Sequence, residues 1–230
     1  GADVLGLDSR GENVLHAMME GSQLAIDAVH DPEVVAYLLS LGVDLEARDD
    51  RGRTARAAAV CRGGPAEVAT LCKLGANPNI ACRALVCSDG ATRVELPLLF
   101  HSPIRRREDA AKMCEILLGA GADPLATDPD GNTALVHAAA RLCALGPDYQ
   151  AALAAFFEGL GALKLKQPEA STRDEFVSRA GAVVREYVAT FFAGFTFPER
   201  IAQNTACYGD QVERIVLLTV HEAWAERQRA

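Results

Sequence analysis

Three stretches of the chain place apolar residues at helical spacing and close on glycine: "PEVVAYLLSLG" (32–42), "PAEVATLCKLG" (65–75) and "AAKMCEILLGAG" (110–121). In the first, Val34, Val35, Leu38 and Leu39 share one face, the pattern of an amphipathic helix. The closing glycine suits the left-handed residue just past a helix C-terminus. A polar bend recurs alongside these helices, in "DSRGENVLHA" (8–17), "DDRGRTARAAA" (49–59) and "DPDGNTALVHAAA" (128–140). Each holds Asp-x-x-Gly, a tight turn with glycine at positive φ. A Thr or Asn then caps a short helix rich in alanine, whose small side chains let helices approach closely. The tripeptides "GAD" (1–3), "GVD" (42–44), "GAN" (75–77) and "GAD" (121–123) mark one recurring point. The prediction is a set of helix-turn-helix units that need stacked neighbours to bury both faces.

Beyond residue 163 this pattern stops. Residues 164–171 read as a connector, and Thr172 followed by Glu175 forms a capping box. Apolar positions follow at 176, 180, 183, 184, 187, 188, 191, 192 and 195, a helical stripe too apolar to stand alone. A break from Gly194 to Pro198 leads to a short helix. A final helix then starts with Asp210 as its cap and Glu213 as the reciprocal partner. Cys207 lies just ahead of that start.

The repeated units resemble the ankyrin family. Its Gly-x-Thr-Pro-Leu-His pattern is approached by "GENVLH" (11–16), "GRTARA" (52–57), "ELPLLF" (95–100) and "GNTALV" (131–136). Its later Val-Val-x-Leu-Leu-Leu-x-x-Gly-Ala-Asp pattern is matched better, by "VVAYLLSLGVD" and "MCEILLGAGAD". The resemblance implies an all-α fold: an ankyrin-repeat solenoid of about four helix-turn-helix units with β-hairpin fingers over residues 1–163. A small helical C-terminal domain over 164–230 would then cap the array or dock a second protein. The first unit carries an insertion at "GSQLAIDAVHD", and the third a lengthened finger, "ACRALVCSDGATRVE". Arg56 stands where the family has a buried leucine, which implies loose packing there or an arginine reaching out of the groove. The chain opens on the end of a repeat, so either it is a fragment or the array begins abruptly.

In function the resemblance implies protein recognition without catalysis, through finger tips and first helices. Carried over by position, the binding residues are Arg10 and Glu12; Asp50, Arg51, Arg53 and Arg62; Asp130, Asn132 and Arg141. The long finger adds Arg83, Asp89 and Arg93. Arginine suits such a surface because its fork binds carboxylates bidentately. His16 matches the histidine that bonds to the neighbouring finger's backbone. His101 and His137 read as packing or capping residues, and the basic run "IRRRED" (104–109) as a solvated interhelix loop.

Half of the 230 residues are hydrophobic and 23% are charged, an ordinary globular mix. The net charge of −8 argues against a nucleic-acid partner, which needs a basic face. No apolar run reaches the roughly 18 residues that cross a bilayer. The seven cysteines have no framework spacing, which suggests reduced thiols in a cytoplasmic compartment. Neither Cys82 and Cys87 nor the scattered histidines complete a metal site. No cofactor motif and no small-molecule substrate is evident, and the partner is expected to be a protein.

One alternative is enzymatic. "TACYGDQV" (205–212) resembles, faintly, the catalytic edge of bacterial novel-E3-ligase effectors acting in a host cytosol. Cys207 would then accept ubiquitin with Asp210 as partner, and the repeats would select the substrate. A cysteine near a helix N-terminus has its thiolate favoured, and an adjacent aspartate opposes it. A Cys207–His221 pair is a second option if the last helix folds back. A third class is an adaptor, with "FPERI" (197–201) echoing an F-box-like tail.

Overall fold

The punctuation of the sequence corresponds to repeated local geometry in the computed structural model. It describes residues 3–19, 31–62, 64–85, 93–100, 109–143, 149–163, 165, 170, 172–193 and 205–229. Outside them lie the inserted segment before Asp31, the finger tip with Asp89, His101, all of the basic run at 104–109 except Asp109, and 194–204, which carries the expected break, short helix and "FPERI". The protein is mostly helical. In chain order the helices are α1 (Val14–Met19), α2 (Pro32–Ser40), α3 (Ala55–Arg62), α4 (Pro65–Lys73), α5 (Ala110–Gly119), α6 (Ala134–Cys143), α7 (Tyr149–Ala162), α8 (Arg173–Ala193) and α9 (Thr205–Arg229). Strands β1 (Ala81–Leu85) and β2 (Arg93–Pro97) pair antiparallel, with Arg83 opposite Glu95 and Leu85 opposite Arg93. They are the two arms of the lengthened finger. No helix among the described residues is long and apolar enough to cross a membrane.

The chain divides into two compact units, Gly1–Ala122 and Asp123–Ala230. In the first, α1 packs on α3, α3 on α4, and α4 on α5. The closeness comes from α3, where Ala55, Ala57, Ala58, Ala59 and Val60 are all fully buried. Helices α2, α4 and α5 end alike. Gly42, Gly75 and Gly121 take φ of 94°, 87° and 92°. The next N–H reaches back to the carbonyl five residues earlier: Val43 to Leu38 (3.3 Å), Ala76 to Leu71 (3.1 Å) and Ala122 to Leu117 (2.9 Å). That is the Schellman closure. An Asx turn follows each time, with Asp44, Asn77 and Asp123 accepting from the N–H two residues on at 2.9 Å. Asp3 does the same for Leu5 at 3.1 Å.

Arg56 neither reaches outward nor sits loosely. It is 1% exposed, and among the described residues none of its guanidinium nitrogens has a hydrogen-bond partner. Burial pulls its pKa down, against the pull of Cys72 and Glu46. The small alanines flanking it leave room for its long stem, which fills the place of the expected leucine.

In the second unit, α8 packs along α9, and α9 also covers α6. The buried face of α8 is Phe176, Ala180, Gly181, Val184, Val188 and Phe192. Val183, expected in the stripe, is 49% exposed. The face advances by four residues per step and leaves 183 off the seam. Phe156 of α7 sits within 5.3 to 5.7 Å of the rings of Phe157, Tyr187, Phe191 and Phe192. Thr172 caps α8 as expected, accepting from the Glu175 N–H at 3.3 Å.

The start of α9 differs from the sequence reading. The helix begins at Thr205, so Asp210 lies in its second turn rather than at its N-cap. Gly209 costs a helix interior only about 1 kcal/mol. The apolar run beyond it, with Ile215, Val216, Leu218 and Val220 buried, offsets that cost. Glu213 does not complete a capping box either. It takes a bidentate grip from Arg185 of α8, at 2.9 and 2.6 Å.

Candidate functional site

Each Asp-x-x-Gly bend is built around a single carboxylate. Asp8 Oδ1 accepts from the N–H groups of Arg10 (2.8 Å) and Glu12 (2.9 Å). Asp49 Oδ1 does so for Arg51 (2.9 Å) and Arg53 (2.8 Å). Asp128 Oδ1 does so for Asp130 (2.9 Å) and Asn132 (2.8 Å). The glycines at 11, 52 and 131 take φ of 69°, 73° and 83°, and each donates its N–H to the aspartate carbonyl. The left-handed backbone at these three positions is what selects glycine.

The second oxygen of each carboxylate is used differently. Asp8 Oδ2 meets Arg10 Nε at 3.2 Å, Asp49 Oδ2 meets Arg53 Nη2 at 2.6 Å, and Asp128 Oδ2 meets His137 Nε2 at 2.7 Å. The Glu12 and Arg10 N–H groups pull the Asp8 carboxyl below its ordinary range. Burial pushes Asp49 and Asp128 up, but their hydrogen bonds outweigh it and hold both low. All three stay ionised well into the acid range.

Two residues assigned to the exposed surface are instead structural. Glu12 is 4% and Arg53 is 5% exposed. Glu12 joins Arg10 (2.6 Å) to Arg53 (3.4 Å), and Arg53 continues to Asp49. The network ties the first bend to the second, so these side chains turn inward where neighbouring bends meet. The backbone repeats the link, with Asp50 N–H donating to Arg10 O at 2.9 Å. His16 makes the expected contact with the next bend, Nε2 donating to Arg53 O at 2.8 Å. Asn13, which the sequence did not single out, donates to Asp44 O at 2.8 Å.

What is left outside is a smaller set. Asp50, Arg51, Asp130 and Arg141 are exposed, as is Arg10 despite its ion pairs, and Asn132 is partly so. Among the described residues none of the first four is engaged in an ion pair. Arg62, Arg83 and Arg93 are placed only by backbone, at the end of α3 and on β1 and β2. Asp89 lies outside the described residues.

The catalytic alternatives fare differently. Cys207 and Asp210 both lie near the start of α9, three residues apart and so on one face. His221 lies on the same continuous helix, 14 residues on. At 1.5 Å per residue that is about 21 Å, so the Cys207–His221 pair is ruled out. His221 is engaged elsewhere, its Nδ1 accepting from Arg173 Nη2 at 2.7 Å. Burial, with Arg173 beside it, lowers the His221 pKa to about 4. Cys61, Cys72, Cys114 and Cys143 are in no disulfide, and among the described residues no three His, Cys, Asp or Glu side chains converge as a metal site needs. No family model matches the chain, and no curated protein matches it.

Proposed function

We propose that the chain is a protein-binding module of the ankyrin type, reading its partner through the tips of the Asp-x-x-Gly bends. The observation that carries this reading is the division of labour within each bend. One aspartate and one glycine build the same turn three times, while Asp50, Arg51 and Asp130 take no part through their side chains and face solvent. A surface held rigidly by backbone with free charges at its tip is suited to recognising a partner of mixed charge. The helices of the second unit support a capping role, since α9 covers α6 with an apolar face.

Quantitative affinity capture tests the reading with two variants of equal net charge. Asp50→Lys with Arg51→Glu is expected to lose bound protein by tenfold or more. Exchanging the exposed Lys112–Glu115 pair as Lys112→Glu with Glu115→Lys is expected to lose none. Equal recovery from both would sink the proposal. The ligase-like alternative makes its own demand on Cys207. Rapid alkylation of that thiol, with a transition well below the ordinary value of about 8.5, would restore it.

A further inference from the structure

The first unit seals a positive charge beside a thiol. Helix α4 packs on α3 and on α5. Val68 and Leu71 of α4 are fully buried, and Cys72, one turn after Val68, lies on the same face. The Cys72 side chain is half-buried and in no disulfide. Arg56 stands on α3, 1% exposed, and its Nε, Nη1 and Nη2 all lack a hydrogen-bond partner among the described residues.

The two groups act on each other. Burial pulls the Arg56 pKa down, and of the groups that oppose it Cys72 acts more strongly than Glu46. Glu46 makes no hydrogen bond to the guanidinium, and its Oε1 accepts from the Asn77 N–H at 2.8 Å. Burial pushes the Cys72 thiol up, against the pull of Arg56. At neutral pH the sulfur is therefore an uncharged thiol, and the cation beside it has no counterion there.

We infer that Cys72 is an oxidation site, its sulfur taken by peroxide to a sulfinate whose charge the Arg56 guanidinium holds. The thiolate attacks one oxygen of hydrogen peroxide; the S–O bond forms, the O–O bond breaks, and the departing hydroxide takes up a proton as water. The sulfenic acid so formed loses its proton and repeats the step with a second peroxide, which leaves the sulfinate and a second water. In each step sulfur is oxidised and peroxide reduced. Burial makes the thiolate scarce, so the reaction is slow at neutral pH and accelerates as pH rises. Arg56 favours the thiolate, and it favours the product more: an unpaired buried guanidinium is costly, and sulfinate oxygens suit its fork. Oxidation thus supplies the counterion that the described residues do not.

Exposing the reduced full chain to hydrogen peroxide at mildly alkaline pH, and mapping its peptides by mass, reads the chemistry. Cys72 is expected to gain two oxygens. Arg56→Leu, which restores the residue type that the repeat pattern has there, is expected to lower that yield by tenfold or more. It is expected to leave the yield at half-buried Cys61 unchanged. Cys72→Asp puts a fixed anion in the sulfur's place, so urea unfolding reads the pairing without peroxide. Its cost in the folding equilibrium constant is expected to be at least tenfold smaller with Arg56 present than in the Arg56→Leu background. Fewer than two oxygens on Cys72, a matching fall at Cys61, an unchanged yield without Arg56, or an equal cost of Cys72→Asp in both backgrounds would each overturn the assignment.

Discussion

At the scale of single residues, two buried charges make opposite demands. Arg56 is sealed in with no hydrogen-bond partner among the described residues, and an uncompensated buried ion costs several kcal/mol. Arg56→Leu is therefore expected to stabilise the protein by about 1–4 kcal/mol in urea unfolding; a loss would show that the guanidinium has a counterion. Glu222 and His221 are neighbours with shifts of contrary sense. Glu222 is raised by burial from 4.5 to about 7, so its contribution is full below 4.5 and is lost as pH rises through 7. His221 is lowered from 6.5 to about 4, so its contribution is full above 6.5 and is lost as pH falls through 4. Glu222→Gln keeps the cap on α6, where the Thr133 hydroxyl and the Leu135 N–H donate to this side chain, and removes the ionisation. Its melting temperature is expected to exceed that of the parent at pH 8 and to match it at pH 4. A lower value at pH 8 would mean that the carboxylate is already paired. The sequence marked Arg56 as out of place but not its fate, and it gave no sign of Glu222. Whether an arginine or glutamate finds a partner depends on residues brought near from other elements, as Glu12 and Arg53 also show across 41 positions.

At the scale of elements, legibility follows locality. The bends and helix ends were readable because an aspartate, a glycine and a few backbone groups within six residues decide them. The start of α9 was not, since Gly209 and Asp210 imitate a stop and a cap, and only packing against α8 overrides them. A cavity in the second unit escaped for the same reason, its lining coming from four helices and from Leu165 between two of them. The α7–α8 contact illustrates how tight such packing is. A Cβ on Gly159 would land on Tyr187, whose hydroxyl donates to Phe156 O at 2.6 Å and whose ring belongs to the aromatic cluster. Gly159→Ala is expected to destabilise by about 1–3 kcal/mol, although alanine is the better helix former. A neutral or stabilising result in thermal unfolding would show that Tyr187 is free to swing aside.

At the scale of the whole molecule, the two compact units use one bend design without sharing its parts. Asp49 is fixed by Arg53 in the first unit, and Asp128 by His137 in the second. Removing either carboxylate orphans the two backbone N–H groups it accepts from, at a cost of about 1–3 kcal/mol each. Because the two share no partner, the costs of Asp49→Ala and Asp128→Ala are expected to add to within about 0.5 kcal/mol. A double variant far from the sum would reveal coupling between the units. Asp130→Ala, at an exposed tip, is expected to cost less than about 0.5 kcal/mol.

That contrast between Asp128 and Asp130, two residues apart, bears on how the molecule can change. The bend stores its shape in Oδ1 of one aspartate and the φ of one glycine, and it asks only backbone N–H groups of the positions between. Side chains at 9, 50, 51, 129 and 130 are thus open to substitution at little cost in stability. A lineage, or a combinatorial library, can rewrite the chemistry these tips present to solvent while inheriting the same scaffold.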